Sequence, residues 1–161
     1  MGELIKVGMA DLKVARHPSI ITTLGLGSCV GIALYDKTTK IIGLAHIMLP
    51  NSKISTMVTN RAKFADTAIV DLVTNMLDLG AIKKYIVAKI AGGAQMFAFS
   101  SNNDIMRIGS RNIEATRSIL SVLNVPIVSE DVGGNYGRTI EISSEDGMLM
   151  IKTIGSGIKY I

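Results

Sequence analysis

The chain has 161 residues, 48% of them hydrophobic and 19% charged, enough apolar material to close a core, so a disordered chain is not expected. The net charge of +4 is scattered, and 4% aromatic content with no basic block gives nucleic-acid binding no support. No apolar run approaches the ~20 residues of a membrane span and no secretory leader precedes the first strand, so a cytoplasmic protein without membrane insertion is expected. In chain order, Leu4 to Val7 and Ile20 to Leu24 read as short strands, and Cys29 to Leu49 reads as a hairpin turning through Asp36-Lys37-Thr38-Thr39-Lys40. Pro50 to Asn60 is a polar loop. From Arg61, the positions Phe64, Ala65, Ala68, Ile69, Leu72, Val73, Met76 and Leu77 form the stripe of an amphipathic helix stopped by Gly80. Tyr85 to Ala91 is an apolar strand ending at Gly92-Gly93, and Gly109 to Leu123 is a second helix. Three strands follow, over Pro126 to Val132, Thr139 to Ser143 and Met148 to Ile154. This order predicts an α+β or layered α/β sandwich with mixed or antiparallel sheets, built as one domain over 1–161 with no repeat or linker.

The single cysteine, Cys29, follows Gly25-Leu26-Gly27-Ser28, and one of two histidines, His46, lies on the return strand of the hairpin. A loop centred between Lys37 and Thr38 would set Cys29 directly opposite His46, with Cβ atoms about 4.5–5.5 Å apart on one face. That is the arrangement of a nucleophile and its base. Lone cysteines usually pack in cores, and a histidine in an apolar strand can be a satisfied core residue. The glycine-rich approach shifts the balance, because exposed N–H groups around Gly27 and Ser28 are what an oxyanion requires. A threonine hydroxyl, from Thr23 or equally Thr22, could fix the tautomer of His46 as a triad's third member. His17 reads as surface. One cysteine cannot form an internal disulfide, and one Cys with two His is too few for a closed zinc site. The glycine clusters lack the third glycine or the lysine of nucleotide-binding loops, so no cofactor is expected. Gly92-Gly93 and Gly133-Gly134 read as tight turns or close approaches at the rim of a site, and adjacent Glu130 and Asp131 point to opposite faces.

Six segments extend this reading: Leu24-Gly25-Leu26-Gly27-Ser28-Cys29-Val30, Ala45-His46-Ile47-Met48-Leu49-Pro50, Lys63 to Ala68, Lys89 to Phe97, Ile108 to Asn112 and Asp131 to Asn135. Together they resemble the chemoreceptor glutamine deamidase family, CheD, in order and spacing from about Ile5 to Ile154. The resemblance implies a three-layer sandwich with two main helices, similar to the catalytic domain of cytotoxic necrotizing factor toxins. It implies hydrolysis of glutamine side-chain amides in methyl-accepting chemotaxis proteins during adaptation, without cofactor or metal. It also implies a partner, the phosphatase CheC, and a monomer or a heterodimer with CheC. Residue by residue, the family's catalytic groups fall on Cys29, His46 and Thr23, which selects Thr23 over Thr22. Phe64 stands where many relatives have tyrosine. Two rival readings are a non-enzymatic module that docks CheC or receptor helices, and a transglutaminase-like or protease-like cysteine enzyme, since a triad fixes acyl transfer without fixing donor or acceptor.

Overall fold

The structure, a computed structural model, describes residues 2–96 and 107–161. Among these residues ten strands form two five-stranded mixed sheets. One runs β1 (Glu3–Val7), β3 (Ser19–Leu26), β8 (Arg138–Ser143), β9 (Leu149–Thr153), β10 (Gly157–Tyr160). The other runs β2 (Asp11–Ala15), β5 (Ile41–Ile47), β4 (Val30–Asp36), β6 (Ile86–Gly92), β7 (Ile127–Val132). Two helices, α1 (Ala65–Leu79) and α2 (Ile108–Val122), cover the outer face of the second sheet. The expected three-layer sandwich with two main helices and mixed sheets is therefore what forms, in the order helices, β4-containing sheet, β3-containing sheet. Its two apolar interiors follow from strand alternation. Val30, Ile32 and Leu34 of β4 meet α1 and α2, while Ala33 and Tyr35 turn to Ile140, Ile142 and Ile151 of the facing sheet. With both faces covered, β4 and β5 are buried at every position.

Helix α1 buries Ala65, Ala68, Ile69, Leu72, Val73 and Met76, the stripe read from the sequence, and ends at Gly80, whose φ of 112° only glycine adopts cheaply. It begins later than expected. Arg61–Lys63 form a separate 3-10 turn, because the Lys63 carbonyl accepts from Met48 and Leu49 N–H and Phe64 pairs with Leu49 in extended conformation. Asp66, in the first helical turn, accepts from the Ser52 N–H at 2.9 Å and its hydroxyl at 2.7 Å, tying the Pro50-Asn51-Ser52 turn to the helix. The loop between Pro50 and Asn60 contains a short 3-10 turn over Ser52–Ile54. The sequence pattern does not mark strands β2 and β10. β2 is a five-residue edge strand whose Leu12 and Val14 are only partly buried, and β10 is exposed throughout. Glu130 and Asp131 diverge as expected: Glu130 meets Arg117 of α2 at 2.6 Å, and Asp131 meets buried Arg138 at 3.1 Å.

Candidate active site

The two sheets are joined by the turn from β3 to β4, and Cys29 lies in it. β3 carries a bulge between Thr23 and Leu26 against β8, with Gly25 at φ 71°. The extra residue bends the strand just past Thr23 and sends the chain across to the second sheet. Cys29 is 7% exposed at the end of the interior between the sheets. Thr23 on β3 and His46 on β5 reach the same interior, and both are 1% exposed.

The hairpin register differs from expectation. Gly31, not Cys29, stands opposite His46, and Val30 pairs with Ile47. The four-residue loop Lys37–Lys40 is centred one residue later because Asp36 builds it. Its carboxylate accepts from the Thr38 N–H at 2.9 Å and the Thr38 hydroxyl at 2.6 Å, its carbonyl accepts from the Lys40 N–H at 2.7 Å, and Lys40 takes φ 60°. A shift of two residues preserves side-chain parity, so Cys29 and His46 still share a face, now as diagonal neighbours, for which spacing is about 7–8 Å between Cα atoms. Gly31 leaves the position between them without a side chain. A Cβ there would come 2.6 Å from Ile140 Cδ1 and 3.1 Å from Leu26 Cδ1. The thiol and the imidazole are accordingly not hydrogen-bonded, and His46 Nε2 is buried without a partner among the described residues.

The other ring nitrogen is held. Thr23 Oγ1 lies 2.7 Å from His46 Nδ1 and 2.8 Å from the Val7 carbonyl. A carbonyl only accepts, so the single hydroxyl proton goes to Val7, and Thr23 must accept from Nδ1–H. The neutral ring therefore carries its proton on Nδ1 and presents a bare Nε2. Thr22, the equal candidate by composition, donates instead to the Ile140 carbonyl at 2.9 Å. Burial pushes the His46 pKa below its ordinary value and the Cys29 thiol above its own. Both shifts disfavour a resting thiolate–imidazolium pair.

The carbonyls of the turn that carries Cys29 are all tied back. Gly27 O accepts from Ala94 N–H at 2.8 Å, Cys29 O from Gly93 N–H at 2.8 Å, and Ser28 O from the Asn112 side-chain amide at 2.9 Å. No other described residue accepts from the Ser28 or Cys29 N–H groups, the Cys29 N–H lying against its own thiol, whereas the Gly27 N–H donates to Gly25 O at 3.1 Å. Of the N–H groups expected to face an oxyanion, that of Gly27 is therefore already engaged within the turn, while those of Ser28 and Cys29 are not tied to another described residue. The Gly92-Gly93 turn makes the close approach read from the sequence. Gly92 has φ 105°, and a Cβ on it would sit 2.3 Å from the Cys29 carbonyl oxygen. Of the segment resembling the family after Ala94, Phe97 lies outside the described residues. Phe64 is 3% exposed, and its backbone pairs with Leu49 just past β5. His17 is exposed, as expected, and contacts Ser144. Asn112 had no distinguishing signal in the sequence beyond its place in one matching segment.

Among the described residues no group of three His, Cys, Asp or Glu side chains is placed to hold a metal, and no helix is long and apolar enough to cross a membrane. A search of solved structures finds a Neisseria meningitidis protein of family DUF152, TM-score 0.50 and 10% identical, covering 83% of this chain and 63% of that one, a likeness of fold alone. The sequence relatives are much nearer. A Lachnoclostridium phytofermentans protein named as a probable chemoreceptor glutamine deamidase CheD is 58% identical over 161 residues, 100% of both chains. The chemoreceptor glutamine deamidase CheD of Bacillus subtilis is 51% identical over 159 residues, covering 98% of this chain and 96% of its own. Residues 48–153 match the family described as CheD chemotactic sensory transduction, and with relatives of this identity along its whole length the chain belongs to the CheD family.

Proposed function

We propose that the protein is a chemoreceptor glutamine deamidase, converting selected glutamine side chains of methyl-accepting chemotaxis proteins to glutamate and ammonia through Cys29. The observation that carries this reading is the orientation of His46. Its Nδ1–H is committed to Thr23, which leaves a buried Nε2 free to accept a proton on the face that bears Cys29. The relatives' names supply the substrate class.

In this mechanism the substrate carboxamide enters between thiol and ring. Because the resting groups are neutral, proton transfer accompanies attack. Nε2 takes the thiol proton as Sγ bonds to the amide carbon, and the carbonyl π electrons move onto oxygen. The Ser28 and Cys29 N–H groups receive that oxyanion. Thr23 stabilises the imidazolium through its accepted hydrogen bond. Collapse breaks the C–N bond, and His46 gives its proton to the departing ammonia. Water then attacks the thioester with His46 again as base, releasing glutamate and the thiol. The mouth that admits a receptor glutamine is the surface where CheC would compete.

The test is a receptor cytoplasmic fragment incubated with the protein. Mass spectrometry should show about +1 Da per converted glutamine, the difference between an amide and an acid, with one ammonia released for each. Cys29→Ala should keep the fold, costing on the order of 1 kcal/mol, and reduce conversion to background. Conversion retained by folded Cys29→Ala excludes covalent catalysis at this residue. New chain termini would indicate a protease, and no conversion at all a docking module.

A further inference from the structure

The geometry points to Asn112 as a positioning residue for catalysis, one that aims the Cys29 N–H at the developing oxyanion by holding the carbonyl of the same peptide unit. The inference rests on the deamidase reading above. Asn112 lies on α2, on the side of the β4-containing sheet away from Thr23 and His46, and is 0% exposed. Its side-chain amide donates both protons, to Ser28 O at 2.9 Å and to Met48 O at 3.0 Å. One group therefore clamps the nucleophile turn to the segment just past His46. A trans peptide is planar, with its C=O and N–H pointing in opposite directions. Drawing the Ser28 carbonyl toward α2 turns the Cys29 N–H away from α2, toward the interior where the thiol and His46 Nε2 lie.

Two further observations support a dedicated role. Asn112 Oδ1 is buried and has no partner among the described residues, so the amide is not there to satisfy both of its own ends. The helix reaches the turn only because side chains have been removed beneath it. A Cβ on Gly109 would lie 2.5 Å from Ala94 O, and one on Gly93 2.3 Å from Ile113 Cγ1. Helix α2 thus packs directly on the Gly93-Ala94 backbone whose N–H groups hold the other two carbonyls of the turn.

The experiment compares wild type with Asn112→Leu, close in size and unable to donate. Two reactions of Cys29 are followed: deamidation of a receptor cytoplasmic fragment, which passes through an oxyanion, and alkylation by iodoacetamide, a displacement at saturated carbon that does not. The expected result is a kcat lower by about 10²-fold with KM within 3-fold, and an alkylation rate within about 2-fold of wild type. A kcat within 3-fold overturns the inference, and so does an alkylation rate that falls in step with kcat, which would mean that Asn112 only places the thiol. Should Asn112→Leu not fold, the wild-type protein decides. On adding a peptide aldehyde that replaces the target carboxamide, the thiol adds across C=O and its proton passes to the oxygen. The Cys29 amide proton should then move downfield in ¹H–¹⁵N spectra, and a resonance that stays put overturns the assignment. Absence of deamidation by wild type would overturn the deamidase reading itself, a result separable from an active wild type whose Asn112→Leu variant is equally active.

Discussion

Replacing Thr23 with valine keeps the shape of the side chain and removes one oxygen. That oxygen donates to Val7 O at 2.8 Å and accepts from His46 Nδ1 at 2.7 Å, both bonds buried. At a net 0.5–1.5 kcal/mol for each neutral bond, stability should fall by about 1–3 kcal/mol. In a chain of this length that is a Tm lower by roughly 2–12 °C. The catalytic loss should be larger than one neutral bond. In the proposed transition state the ring is an imidazolium, and a hydrogen bond to a charged group is worth about 1.5–3 kcal/mol, so kcat should fall roughly 10- to 150-fold. The neutral ring would also lose its reason to keep the proton on Nδ1, and any fraction protonated on Nε2 cannot act as base. Because threonine is uncharged, the loss should stay below that of His46→Ala, which removes the base and should cost nearly as much as removing Cys29. The assay is ammonia release from a saturating receptor fragment, with the tautomer read by ¹⁵N NMR of the imidazole. Thr23→Ser, which keeps the hydroxyl, should remain within about 3-fold of wild type. A folded Thr23→Val enzyme with wild-type kcat and an unchanged tautomer would refute the orienting role.

Cys29 alkylation should be slow near neutrality and rise with a midpoint above the ordinary thiol value of 9.0, because burial disfavours the thiolate; a plateau reached below neutrality would show a resting ion pair instead. The acid limb of kcat/KM should lie below 6.5, where buried His46 first protonates, and an acid limb above 6.5 would contradict a desolvated ring. The same shift acts on stability. A His kept neutral in the fold binds fewer protons than in the unfolded chain, so stability is complete above 6.5 and declines as pH falls toward the depressed native value, a decline that His46→Gln should flatten in urea titrations at pH 5 to 7. Gly92→Ala should destabilise by about 3–5 kcal/mol, with its Cβ 2.3 Å from Cys29 O at φ 105°, whereas Gly25→Ala, at φ 71° with open space around it, should lose about 1–2 kcal/mol; equal urea midpoints would refute the close approach. CheC added to the deamidation assay should raise apparent KM without changing kcat, and a ternary complex with undiminished activity would place the two partners on separate surfaces.

Much of the molecule was legible in one dimension. The 3.6-residue stripe from Ala65 to Met76, the stop at Gly80 and the apolar strands around Cys29 and His46 follow from local pattern, because each element must bury one face. Cys29 and His46 could be brought to one face from strand parity alone, since alternation survives a register shift of two. What parity could not supply was which pair stands opposite. That was decided by the Asp36 carboxylate capturing Thr38 and by the left-handed Lys40, a side-chain choice that hydrophobic pattern does not encode. Edge strands β2 and β10 carried too little buried surface to leave a signal. Thr23 and Thr22 were equivalent until β3 met β8, when Thr22 turned to Ile140 O and Thr23 to His46. Asn112 became visible only when α2 settled on Gly93 and Ala94, joining residues 84 positions apart, Ser28 and Asn112, in one hydrogen bond. Local sequence determines periodicity and therefore faces. Register, tautomer and the direction of a peptide N–H are set by contacts between distant segments, and those exist only after the layers have closed.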